Sequence, residues 1–350
     1  MILKPRCNAK ATRDPDGFRS ALGRWFLNHG RDLPWRRIRD PYGVLVSEIM
    51  LQQTQVATVL AGGYYTRFLE KFPPVEVLAA AGDDELLKAW EGLGYYRRAR
   101  LLRDAARVVI ERHGGLFPSD TDALLSLPGV GHYTAGALRA FAFDLPAVLV
   151  DGNIARVIAR LSDCRNPIDT AAGRKAVWRV AGKLACPEHS RTHHSTLMEL
   201  GQLVCRPGVP DCPSCPVAGW CATRTPEKLP VKRGRVALTA VEERVIFATD
   251  ACGRVLLHRE DGSRRNGLWK LPPLSDGGML APWPVIESEQ YTITRYKVSL
   301  AVYDARRSRR RIKTAANEKW FAPGEIASIA MPSPYRRVIT RLLESADKSM

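Results

Sequence analysis

Apolar residues recur at spacings of three and four through residues 18–27, 41–60, 86–93, 99–110, 135–143, 154–161 and 176–184. The chain from Phe18 to about Val204 therefore reads as one helix after another. Explicit breakers separate the segments: Phe72-Pro73-Pro74, Gly114-Gly115, Pro118, Pro128-Gly129 and Pro146. Residues 227–235 are basic, contain Pro and Gly, and have no helical period, which marks a linker. Beyond it the period falls towards two. Residues 241–249, 255–259 and 290–302 read as strands, and 334–343 as a closing helix. The longest of these strands changes phase. Tyr291 and Ile293 are apolar at odd positions, whereas Tyr296, Val298, Leu300 and Val302 are apolar at even ones, so a bulge or short loop is expected at Thr294-Arg295.

The chain has 350 residues, which at roughly 150 per domain predicts two domains, and a chain of that size folds without disulfides. With 45% hydrophobic and 25% charged residues it is not disordered, collagenous or coiled-coil. Charge changes the picture more. The 53 Lys and Arg against 36 Asp and Glu give a net charge of +17, which points to a polyanionic partner, nucleic acid ahead of anionic lipid. Residues 1–225 hold 30 basic and 22 acidic residues (+8) and the remainder 23 and 14 (+9), so both halves are basic. The densest run, 306–313, has six basic residues in eight; it reads equally as a solvated hairpin tip and as a phosphate contact. No apolar stretch is long enough to span a membrane, and the basic N-terminus lacks the apolar centre of a signal peptide, so a cytoplasmic location is expected.

Four of the eight cysteines, Cys205, Cys212, Cys215 and Cys221, fall within 17 residues among several prolines. Short Pro-rich connections hold four thiolates around one centre, and the spacing suits either tetrahedral zinc or a [4Fe–4S] cubane. Leu127-Pro128-Gly129-Val130-Gly131 joins two helical segments; two glycines in a tight interhelical turn let backbone amides approach a DNA phosphate, as in a helix-hairpin-helix. An ordinary Gly-rich connection would read the same way. Glu48 has only Val44, Leu45, Leu51 and Gln52 at positions three and four away. A carboxyl in apolar surroundings has a raised pKa and can donate a proton at neutral pH, although a solvent-facing Glu is the commoner outcome. Asp151, directly before an apolar-periodic helix, is explained either as an N-cap or as a second carboxylate that stabilises an oxocarbenium ion.

Taken together, these residues resemble the MutY family of adenine DNA glycosylases, within the endonuclease III-like superfamily. The resemblance runs through Leu33-Pro34-Trp35-Arg36, Ser47-Glu48-Ile49-Met50-Leu51-Gln52-Gln53-Thr54-Gln55-Val56, Gly92-Leu93-Gly94-Tyr95-Tyr96, the hairpin motif, Asp151-Gly152-Asn153 and the cysteine spacing. It covers about 18–225 closely and the remainder more weakly. It implies a mainly α, two-lobed helix-hairpin-helix glycosylase domain over 18–226 after an extension of 17 residues. That domain would carry a [4Fe–4S] cluster loop over 205–221. A linker over 227–238 and an α+β Nudix-like (MutT-like) domain over 239–350 would follow.

The family's roles fall on this chain as follows. Glu48 would protonate adenine and Asp151 would stabilise the positive sugar, with Tyr133 and Asn153 in support. Arg31, Trp35 and Arg36 match the adenine pocket. Gln53, Leu93 and Tyr95 match residues that wedge into the duplex as the base is flipped, and Leu127, Gly129, Val130, Gly131 and Thr134 match the DNA-binding hairpin. Cys205, Cys212, Cys215 and Cys221 would hold the cluster. The lyases of the superfamily carry a Schiff-base Lys where this chain has Tyr133, so base excision without efficient strand cleavage is implied. Thymine mismatch glycosylases share the Tyr and the acidic pair but lack Gln52-Gln53-Thr54-Gln55 and the Gly-Leu-Gly-Tyr-Tyr segment. In the second domain, 255–259 and 267–272 fit the opening strands of a MutT-like module, without the acidic box that pyrophosphohydrolysis needs. Its 8-oxoguanine reading loop corresponds to Ile293, Thr294 and Arg295, of which only Thr294 keeps the family's hydroxyl. The implied partner is duplex DNA with adenine opposite 8-oxoguanine or guanine, bound by a monomer with no membrane association. Two alternatives are a glycosylase with altered opposite-base preference and a non-catalytic mismatch or lesion sensor. A pure sensor has no use for the Glu48–Asp151 pair.

Overall fold

The computed structural model describes residues 10–234, 237–262, 265–274, 283–306 and 314–347. The start of the N-terminal extension and nearly all of the basic run 306–313 lie outside the described residues. The helices of the first two-thirds of the chain are α1 (Pro15–His29), α2 (Pro41–Leu51), α3 (Val56–Ala61), α4 (Tyr64–Lys71), α5 (Val75–Ala80), α6 (Asp83–Ala89), α7 (Arg97–His113), α8 (Thr121–Leu125), α9 (His132–Ala137), α10 (Gly152–Leu161), α11 (Ala171–Leu184) and α12 (Ser190–Leu203). The remainder contains β1 (Thr239–Phe247), β2 (Val255–Arg259), β3 (Trp269–Lys270), β4 (Val285–Ile293), β5 (Tyr296–Asp304), β6 (Glu318–Phe321), α13 (Pro323–Ile326) and α14 (Ser333–Asp347). No described helix is long and apolar enough to cross a membrane.

Local chemistry sets the helix starts. The Asp40 carboxylate accepts the Tyr42 and Gly43 amides while Pro41 opens α2, and Asp120 and Thr170 cap α8 and α11 in the same way. The apolar period predicts one helix over 41–60, but the structure divides it into α2 and α3. Gln53 takes a left-handed conformation, φ 59°, which no α-helix can continue through. Further on, α9 runs into a single π turn over Leu138–Ala142.

The chain forms two compact units, each discontinuous in sequence: 1–53, 74–79 and 104–234 in one, and 54–73, 80–103 and 235–350 in the other. In the first, Phe18 and Leu22 of α1 pack with Ile154, Val157 and Ile158 of α10, Val177 and Val180 of α11, and Leu197 and Leu200 of α12. Cys205, Cys215, Trp220 and Cys221 lie against that core. In the second, β1 pairs parallel with β5, which pairs antiparallel with β4, and β2 lies between β3 and β6 in a second small sheet. Val245, Phe247, Leu257, Leu300 and Val302 meet Tyr335, Val338 and Ile339 of α14 in the core of this α+β region. Of the bulge and the short loop expected at Thr294-Arg295, the structure has the loop, which reverses the chain between β4 and β5. Ile293 pairs with Tyr296 across a two-residue hairpin turn, with Thr294 at φ 52°. Paired residues share a face, and because Ile293 pairs with Tyr296 that face runs through odd positions in β4 and even positions in β5.

Candidate active site

Every residue of α2 from Tyr42 to Met50 is buried, including Glu48. The Tyr133 hydroxyl, in the first turn of α9, donates a hydrogen bond to the Glu48 carboxylate, and Asp151 is close enough to repel it. Burial dominates and pushes the Glu48 carboxyl from the usual 4.5 up to about 7, the Tyr133 bond opposes that rise, and the Asp151 charge adds to it. Glu48 is thus protonated in a large fraction of molecules at neutral pH, as a general acid must be. The same burial and the two neighbouring carboxylates hold the Tyr133 phenol well above its ordinary value, so it stays a neutral donor.

Asp151 is both an N-cap and a site carboxylate. One oxygen accepts the Ile154 amide at 2.6 Å and the other accepts from the Asn153 side-chain amide at 2.8 Å. Burial raises its pKa and these bonds oppose the rise. Asn153 is held in turn by Arg156, whose guanidinium donates to Asn153 Oδ1 (3.0 Å), to the Gly201 carbonyl (2.7 Å) and to the Cys205 carbonyl (2.8 Å). A continuous hydrogen-bonded path therefore joins Asp151 to the backbone of the first clustered cysteine. Gly201 must be glycine, because a Cβ there would lie 2.8 Å from Asn153 Cβ and 3.3 Å from its Cα.

Trp35 is buried, and Arg31 and Arg36 converge on one carboxylate, Glu199 of α12, which has no solvent exposure. Arg31 bonds both of its oxygens, Arg36 bonds one at 2.7 Å, and Arg36 also donates to the Arg31 carbonyl at 2.9 Å. The two arginines are thus one clamp rather than independent surface cations. In the hairpin between α8 and α9, Gly129 (φ 75°) and Gly131 are exposed. Leu127, Val130 and Thr134 are buried; they shape the turn, and only its backbone and glycines face solvent. Among the wedge residues Gln53 is exposed and Tyr95 is 42% exposed, whereas Leu93 is buried. Leu93 packs beneath its turn. In the second unit Thr294 and Arg295 stand exposed at the β4–β5 turn and Ile293 is half-buried.

Cys205, Cys212, Cys215 and Cys221 all line one cavity of about 380 Å³ with an apolar wall that includes Val157, Leu161, Leu200 and Val217. Among the described residues no three His, Cys, Asp or Glu side chains are arranged to grip a single metal ion. Four thiols around a cavity of this size fit a four-iron cluster, in which each sulfur meets a different iron. Burial pushes the Cys215 thiol up to about 11, so a compensating cationic centre is needed to keep it as a thiolate ligand. One cation is built in. The Arg160 guanidinium is fully buried, reaches Cys205 Sγ at 3.3 Å, and also donates to the carbonyls of Arg206, Gly208, Pro226 and Leu229.

Residues 46–181 match the sequence profile of the HhH-GPD superfamily of base excision DNA repair proteins. An adenine DNA glycosylase of Mycobacterium tuberculosis is 39% identical over 230 residues, which make up 63% of this chain and 73% of that protein. The chain belongs to the MutY family of adenine DNA glycosylases. A mouse adenine DNA glycosylase is 43% identical over 218 residues, 59% of this chain and 42% of its own. The chain thus matches about two-fifths of the length of this mammalian member. A thermostable thymine-DNA glycosylase has the same fold over 61% of this chain and 97% of its own, with a TM-score of 0.54 at 32% identity.

Several residues of this MutY-family site escaped the sequence reading. Glu199 lies between Met198 and Leu200 but lacks the apolar neighbours a turn away that mark Glu48, and its partners are more than 160 positions away. Arg156 and Arg160 read as the polar stripe of α10, yet both are buried. His193 and His194 are buried in the first unit with their rings edge to face, and burial drives His193 down to about 3.

Proposed function

We propose that this chain is a monofunctional adenine DNA glycosylase of base excision repair, acting on adenine opposite 8-oxoguanine and, more slowly, opposite guanine in duplex DNA. The observation that carries this reading is the buried Glu48 carboxyl, raised to about 7 and bonded by Tyr133, with Asp151 beside it. Glu48 protonates the flipped adenine. The glycosidic bond breaks with its electron pair leaving on the base, and the Asp151 carboxylate stabilises the oxocarbenium ion at the sugar. Water then adds to the sugar and its proton returns to Glu48. Tyr133 and Asn153 hold the two carboxyls, and the Arg31–Glu199–Arg36 clamp with Trp35 shapes the base pocket. Tyr133 offers no amine for a Schiff base, so strand cleavage is not part of the reaction.

Cys205, Cys212, Cys215 and Cys221 would hold a [4Fe–4S] cluster, which when bound supplies a rigid anchor for the loop against which Arg156 and Arg160 are set. The α+β region is read as a Nudix-like module, and its turn at Ile293, Thr294 and Arg295 offers an exposed hydroxyl and guanidinium to the base opposite the adenine. Gln53 and Tyr95 are the wedge. The test is single-turnover excision on duplexes with adenine opposite 8-oxoguanine or opposite guanine, with and without alkali. Strand breaks that depend on alkali are expected, with none from Glu48→Gln. Excision by Glu48→Gln would overturn the acid assignment, and tight binding without excision by the parent protein would favour a mismatch sensor.

A further inference from the structure

The turn that carries Tyr95 has three positive-φ residues within four positions. Gly92, Gly94 and Tyr95 all have positive φ, at 97°, 68° and 46°. A Cβ on Gly92 would lie 2.1 Å from the Tyr64 hydroxyl. The Trp90 indole donates to the Gly94 carbonyl at 3.1 Å, and Arg98 donates to the carbonyls of Leu93 (2.9 Å) and Gly94 (3.2 Å) while its guanidinium stacks between the Trp90 and Tyr95 rings. The backbone is thus fixed by local bonds, and an exposed aromatic ring stands on it.

Both ends of this turn are also bonded to the C-terminal α+β region of the same unit. Before it, Arg336 of α14 donates to Glu91 Oε1 at 2.8 Å, and spends its other nitrogens on the carbonyls of Ile326 and Ile329, each at 2.6 Å. Lys88 bonds the second Glu91 oxygen. After it, the buried Tyr96 hydroxyl donates to the carbonyl of the buried Met331 at 3.2 Å. Further along, Arg100 reaches the Asn266 carbonyl at 2.7 Å. Residues 326–336, which connect α13 to α14, therefore grip the chain on either side of Tyr95, five residues apart at Glu91 and Tyr96.

We infer that the C-terminal region has a second task besides any reading of the opposite base: through Arg336, Glu91, Tyr96 and the Met331 carbonyl it holds the Tyr95 turn in its inserting conformation. Arg336 and Glu91 are positioning residues in this scheme, and the inference rests on the reading of Tyr95 as a DNA wedge. In this partly buried ion pair Arg336 Nε and Nη2 both meet Glu91 Oε1 while the guanidinium is also held by two carbonyls, which fixes direction as well as distance. A wedge ring displaced by about 1 Å loses its place between base steps, for which a loss of ten- to a hundredfold in rate is the expected scale.

The experiment uses the full chain and the substitutions Arg336→Gln, Tyr96→Phe and Tyr95→Ala, singly and in pairs, with melting temperature and iron content confirming that each folds. Two duplexes carry 2-aminopurine beside an adenine opposite either 8-oxoguanine or guanine; fluorescence reports unstacking on binding, independently of excision. Arg336→Gln is expected to lower both the fluorescence rise and the single-turnover rate about tenfold, by the same factor on the two duplexes. Tyr96→Phe is expected to act in the same direction, and neither to add to Tyr95→Ala. Multiplicative losses in the double variants, or a loss confined to the 8-oxoguanine duplex, would overturn the inference. If the parent protein unstacks the duplex but excises no adenine, the proposed reaction fails while the latch is still tested by fluorescence.

Discussion

Replacing Glu48 by Gln should make the protein more stable at neutral pH while removing its activity. In the folded state burial holds the Glu48 carboxyl at about 7, against 4.5 when exposed. Below 4.5 both states are protonated and the group contributes nothing to pH dependence. As pH rises from 4.5 to 7 the unfolded chain ionises and the folded chain does not, so the folded state binds more protons and stability falls. Above about 7 the loss is complete. A shift of this size corresponds to roughly 3 kcal/mol. His193 works in the opposite sense. Burial lowers it from 6.5 to about 3, so its contribution grows as pH rises through that window. The two slopes oppose each other between 4.5 and 6.5, and a difference between variants isolates Glu48. Reversible denaturant unfolding of the parent and Glu48→Gln from pH 4.5 to 8 supplies that difference. The variant should gain nothing at the acid end and about 3 kcal/mol at the neutral end, with the change complete near pH 7. Excision by the parent should fall above about pH 7, where the acid is lost. A stability difference that is constant across this range would refute the claim that a buried, protonated Glu48 is the acid.

Tyr133→Phe removes a hydrogen bond that holds the Glu48 pKa down, so the alkaline limb of the excision profile should move to higher pH, as read from single-turnover rates between pH 6 and 9. Gly201→Ala forces a Cβ onto Asn153; the expected cost is about 1–3 kcal/mol, with excision falling more than tenfold because Asp151 loses its orientation, while iron content stays unchanged. Arg160→Leu leaves the carbonyls of Arg206, Gly208, Pro226 and Leu229 without their donor. A loss of about 3 kcal/mol or more is expected, together with a fall in the visible absorbance and iron content of the purified protein. Glu199→Gln leaves Arg31 and Arg36 without a counter-charge and should weaken excision more than duplex binding, which parallel binding and rate measurements would separate.

What could be read in advance was chemistry carried by neighbours in sequence. Glu48 stands out because the residues a turn away are apolar, Asp151 because it precedes an apolar-periodic helix, and the cysteines because four of them crowd into one loop. What could not be read was chemistry completed across the fold. Glu199 acquires its meaning only when α12 brings it beneath two arginines from the loop before α2. Arg156 and Arg160 have the spacing of an exposed stripe, and their burial follows from the cysteine loop folding over α10. The hairpin at Thr294 was visible as a change of phase, but a bulge and a reversal produce the same alternation, and pairing alone separates them. The division into units also cuts across the chain order, because residues 54–73 and 80–103 group with the C-terminal region in a way that no local pattern records.

Backbone conformation sorts the site further. Among the described residues five other than glycine have positive φ: Gln53, Tyr95, Asp144, Asp163 and Thr294. The two aspartates belong to a type that tolerates this region. Each also has local work, since Asp144 accepts the Arg191 amide at 3.0 Å and Asp163 pairs with Arg165. Gln, Tyr and the β-branched Thr are poor choices there, at a cost of about 1–2 kcal/mol each. All three are exposed, and the local contacts they make are few: Tyr95 lies beside the Arg98 guanidinium and the Thr294 hydroxyl donates to the Ile293 carbonyl. A glycine would relieve each turn at once, which leaves the side chain itself as the reason for the residue. These are also the residues assigned to the duplex wedge and the reading loop. On the proposed reading the strain would therefore fall on the side chains that meet the DNA, and duplex contact is where its cost would be offset.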